Sequence, residues 1–416
     1  MSPVRKQFSN GVKIVILGYG IEGKSAERFL RSSLRRRTSK CEIEIRDIKK
    51  QGNDYLKNLG DFDMIVRSPG VRYLLPEIQK AKKRGVAITS ATKLFFHNAK
   101  GTLVGITGTK GKGTVATLLY KILKTAGKDV YLVGNIGKPA LDILPELSKN
   151  SVTIYELSSF QLQDLDRSPE IAVVTDISPD HLDYHKSFYE YINAKTNIVR
   201  FQKKNCKVFY FPDNKYSKLI AQKSRGKKVS VVANPNLKLK ILGFHNLKNA
   251  SMAASVGRAL GAPEKIIKQT IKNFKGLPYR LEFIRETGGV KFYNDSASTN
   301  PAATTAALAA FNEPKILIAG GAEKNLSYKP LAKAIKKSKM RAVILFGRDK
   351  YKIKRSIEVP TITKLVGNLK SAVVLAKKRA RGGDIVIFSP GAASFDMFKN
   401  SKDRGERFTN LVKSLN

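Results

Sequence analysis

The amino-acid sequence predicts an α/β fold of three consecutive domains. Short β-branched strands alternate along the chain with segments of helical character, an order typical of parallel sheets with crossover helices. Two of these strands run directly into glycine-rich turns. The chain of 416 residues is also too long for one ordinary hydrophobic core. We place the domains at residues 1–98, 99–277 and 278–416.

The first domain is predicted to open as strand, glycine turn and helix. Val12–Leu17 is an apolar, β-branched run, Gly18–Gly23 supplies the turn, and Ser25–Leu30 has helical character. Further strands are predicted at Glu42–Arg46 and Asp63–Val66.

The second domain begins with a strand at Thr102–Ile106, which enters another glycine loop before a helix at Val115–Ala126. The third domain begins near Gly276. The other predicted strands of these two domains are Val130–Val133, Val152–Tyr155, Ile171–Thr175, Lys207–Phe211, Val229–Val232, Lys315–Ala319, Ala342–Phe346 and Ile385–Phe388.

The net charge of +44 is distributed over the whole chain. Residues 1–98 carry 21 basic and 9 acidic side chains, residues 99–275 carry 29 and 13, and residues 276–416 carry 27 and 11. Because a nucleic-acid module usually concentrates its basic residues on one face or segment, we expect no specific nucleic-acid partner.

Composition also excludes several classes of site. Two cysteines are too few for a disulfide framework, and four histidines argue against a histidine-rich metal cluster. No apolar run approaches the roughly 18–20 residues that cross a bilayer. We therefore expect a cytoplasmic protein without a membrane span, and a monomer.

The strongest chemical signal is the loop Gly105-Ile106-Thr107-Gly108-Thr109-Lys110-Gly111-Lys112-Gly113-Thr114, between a predicted strand and a predicted helix. Glycines let backbone N–H groups approach phosphate oxygens, and the helix N-terminus adds partial positive charge. Lys112 can reach the outer phosphates of a nucleotide, and Thr114 offers a hydroxyl to magnesium. The spacing differs from the common eight-residue phosphate loop, and a Gly/Lys-rich surface turn is the alternative.

The first glycine turn supports a second hypothesis. Gly18, Gly20 and Gly23, with Asp47 downstream, match a dinucleotide-binding pattern, so a nicotinamide-dependent dehydrogenase is an alternative from another class. The turn Ser68-Pro69-Gly70 follows another strand and can close over the same ligand. A tight strand–helix turn without phosphate contact is the simpler alternative.

Glu156 and two histidines are the candidate metal ligands. Glu156 follows a predicted apolar strand, and His181 and His185 lie four residues apart. A hydrolytic zinc site is disfavoured, because the metalloprotease motif needs glutamate directly after the first histidine and Leu182 stands there. Glu156 with His181 in a magnesium site fits better, because Mg²⁺ combines a few protein ligands with substrate phosphates. A helix cap is the alternative role for Glu156.

Polar turns follow several later strands. Open α/β sheets bind ligands at the carboxyl ends of their strands, so these turns are candidate ligand contacts when taken together. The turns are 243–249, 278–282, 294–301, 320–324 and 389–396.

Six motifs occur in the order of a known family. They are Gly-Ile-Thr-Gly-Thr-Lys-Gly-Lys-Gly-Thr, Glu-Leu-Ser-Ser-Phe-Gln-Leu, Asp-His-Leu-Asp, His-Asn-Leu-Lys-Asn, Asn-Asp-Ser and Ser-Pro-Gly-Ala-Ala-Ser-Phe-Asp-Met-Phe. The chain resembles the Mur ligases over nearly its full length, and most closely the members that add D-glutamate. Glu156–Leu162 and Ser389–Phe398 are the most discriminating segments.

The resemblance implies an ATP-dependent, ADP-forming amide ligase of peptidoglycan precursor synthesis. ATP would phosphorylate the carboxylate of UDP-N-acetylmuramoyl-L-alanine, and the amine of D-glutamate would attack the acyl phosphate. The implied fold has a Rossmann-like UDP-binding domain, a central phosphate-loop domain that binds ATP, and a Rossmann-like C-terminal domain. The implied cofactors are ATP and two Mg²⁺ ions.

The resemblance also implies roles for individual residues, among them Lys195 as the lysine that becomes carbamylated (N6-carboxylysine) in this family. The implied catalytic residues are Lys112, Glu156, His181 and Lys195, and the metal ligands are Thr114, Glu156, His181 and carbamylated Lys195. The implied ATP contacts are Gly108, Thr109, Lys110, Gly111, Lys112, Gly113, Thr114, Asn249, Arg280 and Asp295. Those for the UDP substrate are Gly20, Ile21, Glu22, Asp47, Ser68, Pro69, Gly70, Asn135, Ser158 and Gln161, and those for the amino acid are Thr299, Lys324, Ser394 and Phe395.

Four positions depart from the pattern of the D-glutamate-adding members. Ala297 stands where lysine is frequent, Tyr279 replaces a histidine, Gly113 replaces Ser/Thr, and Ser401 stands where a phenylalanine often lines the amino-acid pocket. A related ligase that uses another amino acid or a folylpolyglutamate-type substrate is therefore the alternative within this class.

Overall fold

The computed structural model confirms the predicted α/β class. It describes residues 11–35, 41–182, 184–241, 243–322, 326–358 and 362–415. The strands in these ranges form three sheets of four, six and six strands. Within them, β-strand pairing is parallel except in one hairpin of the third sheet.

The first sheet comprises β1 (Lys13–Leu17), β2 (Glu42–Arg46), β3 (Met64–Arg67) and β4 (Ala87–Ser90), in the spatial order β2-β1-β3-β4. Alternate residues of β1 are buried on opposite faces of this sheet, in two different apolar clusters. A parallel strand that is covered on both faces needs apolar residues at consecutive positions, which explains the Val12–Leu17 run.

The second sheet has β5 (Thr102–Thr107) at its centre, between β7 (Val152–Glu156) and β8 (Ile171–Val174). The phosphate loop therefore begins in the middle of the sheet. The other strands are β6 (Val130–Gly134), β9 (Lys207–Tyr210) and β10 (Lys227–Ser230), and the spatial order is β10-β9-β8-β5-β7-β6.

The third sheet includes an antiparallel hairpin that the sequence did not predict. Its strands β11 (Glu282–Thr287) and β12 (Val290–Asn294) are joined by Gly288 and Gly289, both with positive φ (57° and 71°), as a tight hairpin turn requires. The parallel strands are β13 (Lys315–Gly320), β14 (Met340–Phe346), β15 (Thr363–Leu365) and β16 (Ile385–Phe388), and the spatial order is β11-β12-β16-β13-β14-β15.

Helices cover the sheets. In the part before residue 200 they are α1 (Ile21–Arg35), α2 (Ile48–Gln51), α3 (Pro76–Lys83), α4 (Ala91–Asn98), α5 (Lys112–Thr125), α6 (Ser159–Leu162) and α7 (Phe188–Arg200). The later ones are α8 (Lys215–Gln222), α9 (Phe244–Ala259), α10 (Glu264–Asn273), α11 (Pro301–Leu308), α12 (Lys329–Lys337), α13 (Lys350–Ile357), α14 (Leu369–Arg379) and α15 (Ser401–Lys413). In the described residues, 3-10 helices also span Gly52–Leu56, Leu59–Asp61 and Ala140–Glu146.

The chain divides into two compact units. The first runs to Leu239 and resumes over Phe244–Phe274, so it holds both the first and the second sheet. The second contains Lys240–Gly243 and the chain from Lys275 onward, with the third sheet. Among the helices of the described residues, none has the length and apolar character to span a membrane.

Several predicted elements are displaced. Helix α1 begins at Ile21 instead of Ser25, so Gly23 lies in its first turn. Helix α5 begins at Lys112 instead of Val115, because the phosphate loop itself leads into the first helical turn. Strand β10 is Lys227–Ser230 instead of Val229–Val232. This edge strand buries none of its four residues fully, so the position of its apolar residues does not mark the strand.

Candidate functional site

The phosphate loop is closed by two glycines that no other residue can replace without a clash. A Cβ atom on Gly108 (φ 156°) would lie 1.8 Å from Thr175 Oγ1, and one on Gly111 (φ 87°) would lie 2.3 Å from Asn249 Oδ1. Asn249 is a buried residue of α9. Glycine is therefore required at both positions for the loop to approach its neighbours.

The loop is fixed to the segment that follows β8. The Thr109 backbone N–H donates to the carbonyl oxygen of Asp176 (2.7 Å), and Thr175 Oγ1 donates to the carbonyl oxygen of Lys110 (2.7 Å). The Thr109 hydroxyl donates to the carbonyl oxygen of Ser178 (2.9 Å). These hydrogen bonds connect the loop to the segment 175–178.

The loop supplies the donors that a phosphate chain needs. Lys112 Nζ donates to the backbone oxygens of Gly108 (3.0 Å) and Thr109 (3.1 Å), so its ammonium lies over the loop. Lys112, Gly113 and Thr114 form the first turn of α5, where backbone N–H groups favour anions. The glycine cradle and these donors fit the polyphosphate of a nucleotide.

Lys195 is a buried lysine directly beneath this loop. It lies on α7, is 1% exposed, and its Nζ donates to Thr107 Oγ1 (3.2 Å) and to the carbonyl oxygen of Gly108 (2.9 Å). Burial lowers its pKa well below the ordinary value, and the nearby Lys112 ammonium lowers that pKa further. Asp180 and Glu156 act on the pKa in the opposite direction. The environment therefore favours the neutral amine, which is the nucleophilic form.

Glu156 is the last residue of β7, with its side chain largely buried. The alternative that it caps a helix is wrong, because Ser158 is the N-cap of α6 and accepts a hydrogen bond from the Gln161 backbone N–H (3.2 Å). The sheet places Glu156 beside Ile106 at the carboxyl end of β5, next to the phosphate loop.

His181 lies in an exposed loop at a positive φ of 53°, with its ring 4.9 Å from the ring of Phe160. No group of three or more His, Cys, Asp or Glu side chains in the described part of the chain is arranged to hold a metal. A carboxylate at Glu156 and a hydroxyl at Thr114 fit Mg²⁺ only together with substrate oxygens, which is the usual composition of Mg²⁺ sites.

His185 is part of a buried hydrogen-bond network that the sequence did not predict. Its Nε2 is 2.9 Å from Ser159 Oγ, and its Nδ1 is 3.1 Å from Glu190 Oε1. Burial lowers the pKa of His185, which favours the neutral ring. Both ring nitrogens are used, so His185 does not form a metal pair with His181.

The first glycine turn is tightly closed. A Cβ atom on Gly23 would lie 2.2 Å from the carbonyl oxygen of Gly18, and Ser68 Oγ donates to that same oxygen (2.6 Å). Asp47 caps α2 and accepts a hydrogen bond from the Tyr19 backbone N–H (2.7 Å). The turn, Asp47 and the Ser68–Gly70 segment therefore come together at one edge of the first sheet.

Glu22 and Gln161 connect this turn to the second sheet. Gln161 Nε2 donates to Glu22 Oε1 (2.6 Å), while Gln161 Oε1 accepts from the Ser158 backbone N–H (2.9 Å). Burial raises the pKa of Glu22. Asn135 follows β6 and is exposed beyond it.

Arg67 and Asp164 form a buried ion pair near the same turn, which the sequence analysis did not predict. The Arg67 Nη2 to Asp164 Oδ1 distance is 2.7 Å, and the two side chains are 0% and 2% exposed. Arg67 also donates to the backbone oxygens of Val71 (2.8 Å) and Phe160 (2.9 Å). The only signal was one charged residue at the end of an apolar strand.

The second compact unit holds a separate group of predicted residues. Asp295 Oδ2 accepts from Ser389 Oγ (2.7 Å) and Oδ1 accepts from the Leu281 backbone N–H (3.2 Å). Burial raises the pKa of Asp295 to about 6, although these hydrogen bonds and Arg280 lower it. Ser394 is buried and Phe395 is exposed.

The remaining predicted residues of this unit differ in exposure. Thr299 is half-buried and Arg280 is exposed. Lys324 lies outside the described residues.

Comparisons with known proteins match both units. Residues 106–236 match the Mur ligase middle domain, and residues 279–391 match the Mur ligase glutamate ligase domain. The chain is 35% identical to the UDP-N-acetylmuramoylalanine–D-glutamate ligase of Clostridium tetani, over 99% of this chain and 98% of that protein. The chain belongs to the Mur ligase family. The resemblance stated from the motifs is thereby confirmed.

Two further comparisons agree with this membership. The protein of the same description from Acetivibrio thermocellus is 37% identical, over 89% of this chain and 86% of that protein. The crystal structure of the UDP-N-acetylmuramate–alanine ligase of Thermotoga maritima superposes with a TM-score of 0.59 at 18% identity, over 97% of this chain and 99% of that chain. That likeness concerns the Mur ligase fold. These matches favour a ligase over the dehydrogenase alternative.

Within this Mur ligase, the first unit brings together the phosphate loop, Asn249, Glu156 and Lys195 around the carboxyl end of β5. Sequence motifs indicated the phosphate loop, Asn249 and Glu156, and the family resemblance indicated Lys195. The residues that hold them in place, such as Thr175 and Asp176, carry no motif of their own, because they act through backbone carbonyls and short hydroxyl contacts.

Proposed function

We propose that this Mur ligase adds D-glutamate to UDP-N-acetylmuramoyl-L-alanine, with ATP and two Mg²⁺ ions as cofactors, as a cytoplasmic monomer without a nucleic-acid partner. The description shared by its relatives supports the two substrates. The single structural observation that carries the proposal is the rigid glycine cradle at Gly108 and Gly111, with the Lys112 ammonium over it and Lys195 beneath it.

The proposed reaction has two balanced steps. A carboxylate oxygen of the UDP substrate attacks the γ-phosphorus of ATP, the bond to the β,γ-bridging oxygen breaks, and ADP leaves. The amine nitrogen of D-glutamate then attacks the acyl carbon, phosphate leaves with the bonding electron pair, and the nitrogen loses a proton as the amide forms. A carboxylate is a poor electrophile, and phosphorylation gives it a leaving group.

In the first step the substrate carboxylate approaches the negatively charged phosphates of ATP, and residues of this chain stabilise these charges. Lys112 and the N-terminus of α5 stabilise charge on the phosphates, because preorganised donors need no reorganisation during the reaction. Mg²⁺, held by Thr114, Glu156, His181 and substrate oxygens, would neutralise phosphate charge.

We further propose that Lys195 is carbamylated. The neutral amine attacks the carbon of CO₂, forms an N–C bond and releases a proton. Burial lowers the pKa of this amine, which favours its neutral form. The product carries negative charge, so it would attract the Lys112 ammonium, and a carboxylate becomes available to support magnesium.

The remaining assignments rest on the family resemblance. The edge formed by Gly20–Glu22, Asp47 and Ser68–Gly70 would take the UDP group, with Asn135, Ser158 and Gln161 along the sugar and peptide. In the second unit, Arg280 and Asp295 would contact ATP. Thr299, Lys324, Ser394 and Phe395 would bind the amino acid.

The test is release of phosphate from ATP in the presence of UDP-N-acetylmuramoyl-L-alanine and a series of amino acids, including both glutamate enantiomers. We expect release only with the UDP substrate and D-glutamate together, and a product heavier by one glutamyl residue. Turnover of L-glutamate with a folyl substrate, or of another amino acid, would replace the substrate assignment. Absence of ADP formation under all conditions would refute the ligase mechanism.

A further inference from the structure

Arg404 is a fully buried arginine in the first turn of α15. Its side chain is 0% exposed, and Nε and Nη2 donate to the Ser296 hydroxyl (3.1 Å) and the Ser296 carbonyl oxygen (2.9 Å). Nη1 donates to the carbonyl oxygens of Ala392 (3.1 Å) and Ala393 (3.2 Å). All four hydrogen bonds go to uncharged oxygens. A buried cation held in this way is costly, because neutral partners compensate only part of its lost hydration.

The cation remains charged at neutral pH. Burial lowers the pKa of Arg404 to about 10, and the carboxylate of Asp396 acts in the opposite direction. Arg341 in the same unit is different, because it binds the buried carboxylate of Asp384 through two nitrogens. Burial of the Arg404 charge therefore lowers the stability of the fold, because the oxygens that accept its four hydrogen bonds are uncharged.

Arg404 holds the peptide group that leads into the proposed amino-acid site. The Ala393 oxygen bound by Nη1 belongs to the same peptide plane as the N–H of Ser394. Among the hydrogen bonds of the described residues, none has the backbone N–H of Ser394 or Phe395 as donor. A cation on a peptide oxygen strengthens the N–H of the same peptide as a donor, and adjacent N–H donors favour an anion.

Two glycines allow this close arrangement. A Cβ atom on Gly321 would lie 2.2 Å from the Ala393 oxygen and 3.3 Å from Arg404 Nη1. A Cβ atom on Gly405 would lie 2.4 Å from the ring of Tyr279. Gly321 therefore leaves room for the guanidinium beside the loop, and Gly405 leaves room for the Tyr279 ring against α15.

We propose that Arg404 makes the amino-acid site select an acidic side chain over the corresponding amide, by positioning and polarising the Ala393–Ser394 peptide. This inference rests on the proposed function, which assigns Ser394 and Phe395 to the amino acid. A carboxylate gains from each strengthened N–H and from the buried positive charge, whereas the neutral carboxamide of D-glutamine gains much less. Arg404 does not touch the substrate, so it is a positioning residue.

The test compares D-glutamate and D-glutamine in wild type, Arg404→Gln and Arg404→Lys, with D-glutamine measured as a substrate or a competitive inhibitor. For Arg404→Gln we expect KM for D-glutamate to rise on the order of tenfold, with little change in kcat or in KM for ATP. The KM or inhibition constant for D-glutamine should change by no more than about twofold, so the preference for D-glutamate over D-glutamine falls. Arg404→Lys keeps the charge but cannot bind Ser296, Ala392 and Ala393 together, and should give a smaller rise in KM.

Arg341→Gln is the control, because it removes a buried interaction of the same unit away from this loop. This variant should lower the free energy of unfolding and leave the preference for D-glutamate over D-glutamine unchanged. Equal losses for D-glutamate and D-glutamine in both Arg404 variants would overturn the inference and leave Arg404 with a structural role only. If Arg404→Gln does not fold, Arg404→Lys decides, and a wild-type KM for D-glutamate in that variant overturns the inference. A wild-type protein that does not use D-glutamate refutes the proposed function itself, so the two failures are distinguishable.

Discussion

Lys195 and Lys315 are two buried lysines with different surroundings. Lys315 is 2% exposed and its Nζ donates to the carbonyl oxygen of Phe311 (2.9 Å). Burial lowers the pKa of both lysines. A neighbouring cation adds to this effect at both positions, Lys112 near Lys195 and Lys339 near Lys315. Burial and charge alone therefore do not distinguish a functional lysine, and the contact of Lys195 with the phosphate loop does.

We predict that Lys195→Ala abolishes most activity and that a short carboxylic acid in the buffer restores part of it. The added carboxylate would occupy the space of the proposed carbamate. The loss should be on the order of 100-fold, which is typical for removal of one preorganised charge. Steady-state rates with increasing acetate measure the effect.

Lys315→Ala is the matched control for the loss of a buried lysine. It should reduce stability by about 1–3 kcal/mol, because the Phe311 carbonyl loses its donor, and its rate should not respond to acetate. Wild-type activity in Lys195→Ala would remove Lys195 from the mechanism.

At the scale of elements, the glycines at the two ends of helix α5 have different roles. One allows close contact with a neighbouring side chain, and the other allows only a left-handed backbone conformation. Gly111 precedes the helix and Gly127 follows it, and both have positive φ (87° and 73°). A Cβ atom on Gly111 would meet the Asn249 side chain, whereas one on Gly127 would meet nothing within 4 Å. Substitutions at these two positions therefore distinguish the cost of backbone strain from the additional cost of a steric contact.

We predict that Gly127→Ala costs about 1 kcal/mol, the strain of a left-handed backbone. Gly111→Ala should cost clearly more, because Asn249 must also move, and should raise KM for ATP. Thermal unfolding and ATP kinetics of the two variants measure these effects. Equal costs and an unchanged KM for ATP would show that Asn249 has no part in closing the loop.

Several strands that the sequence predicted are strongly buried, although β2 was predicted with its observed bounds and has no fully buried residue. Strands β5, β7 and β13 are almost continuously buried, and each was predicted to within one residue or so at its ends. Strands β11 and β10 were missed or displaced, because their residues are mostly exposed or half-buried and show no clear apolar run. Helix α5 was predicted late by three residues, since its first turn is polar and serves the loop.

At the scale of the whole chain, a buried ion pair is one of the contacts that connect the two sheets of the first unit. Arg67 ends β3 of the first sheet, and Asp164 follows α6 of the second. The partners are 97 residues apart in sequence, so no local pattern could reveal the pair. The motifs indicated the candidate residues of the site, and tertiary contacts of this kind decide how those residues are held.

We predict that Arg67→Met lowers the free energy of unfolding by about 3–5 kcal/mol, because Asp164 remains buried without its partner. The double variant Arg67→Met with Asp164→Leu should recover most of this loss. Arg258→Met, which breaks an exposed pair with Glu264, should change stability by less than about 1 kcal/mol. Denaturant unfolding measures all three variants, and a near-neutral Arg67→Met would show that the pair does not stabilise the unit.

The central position of β5 has a consequence for synthesis on the ribosome. This apolar strand pairs with Val152–Glu156 and Ile171–Val174, which are translated roughly 50 to 70 residues later. At about 5–20 residues per second, the nascent strand waits on the order of 3–14 seconds for both neighbours. During that interval its unpaired edges are open to mispairing with other chains.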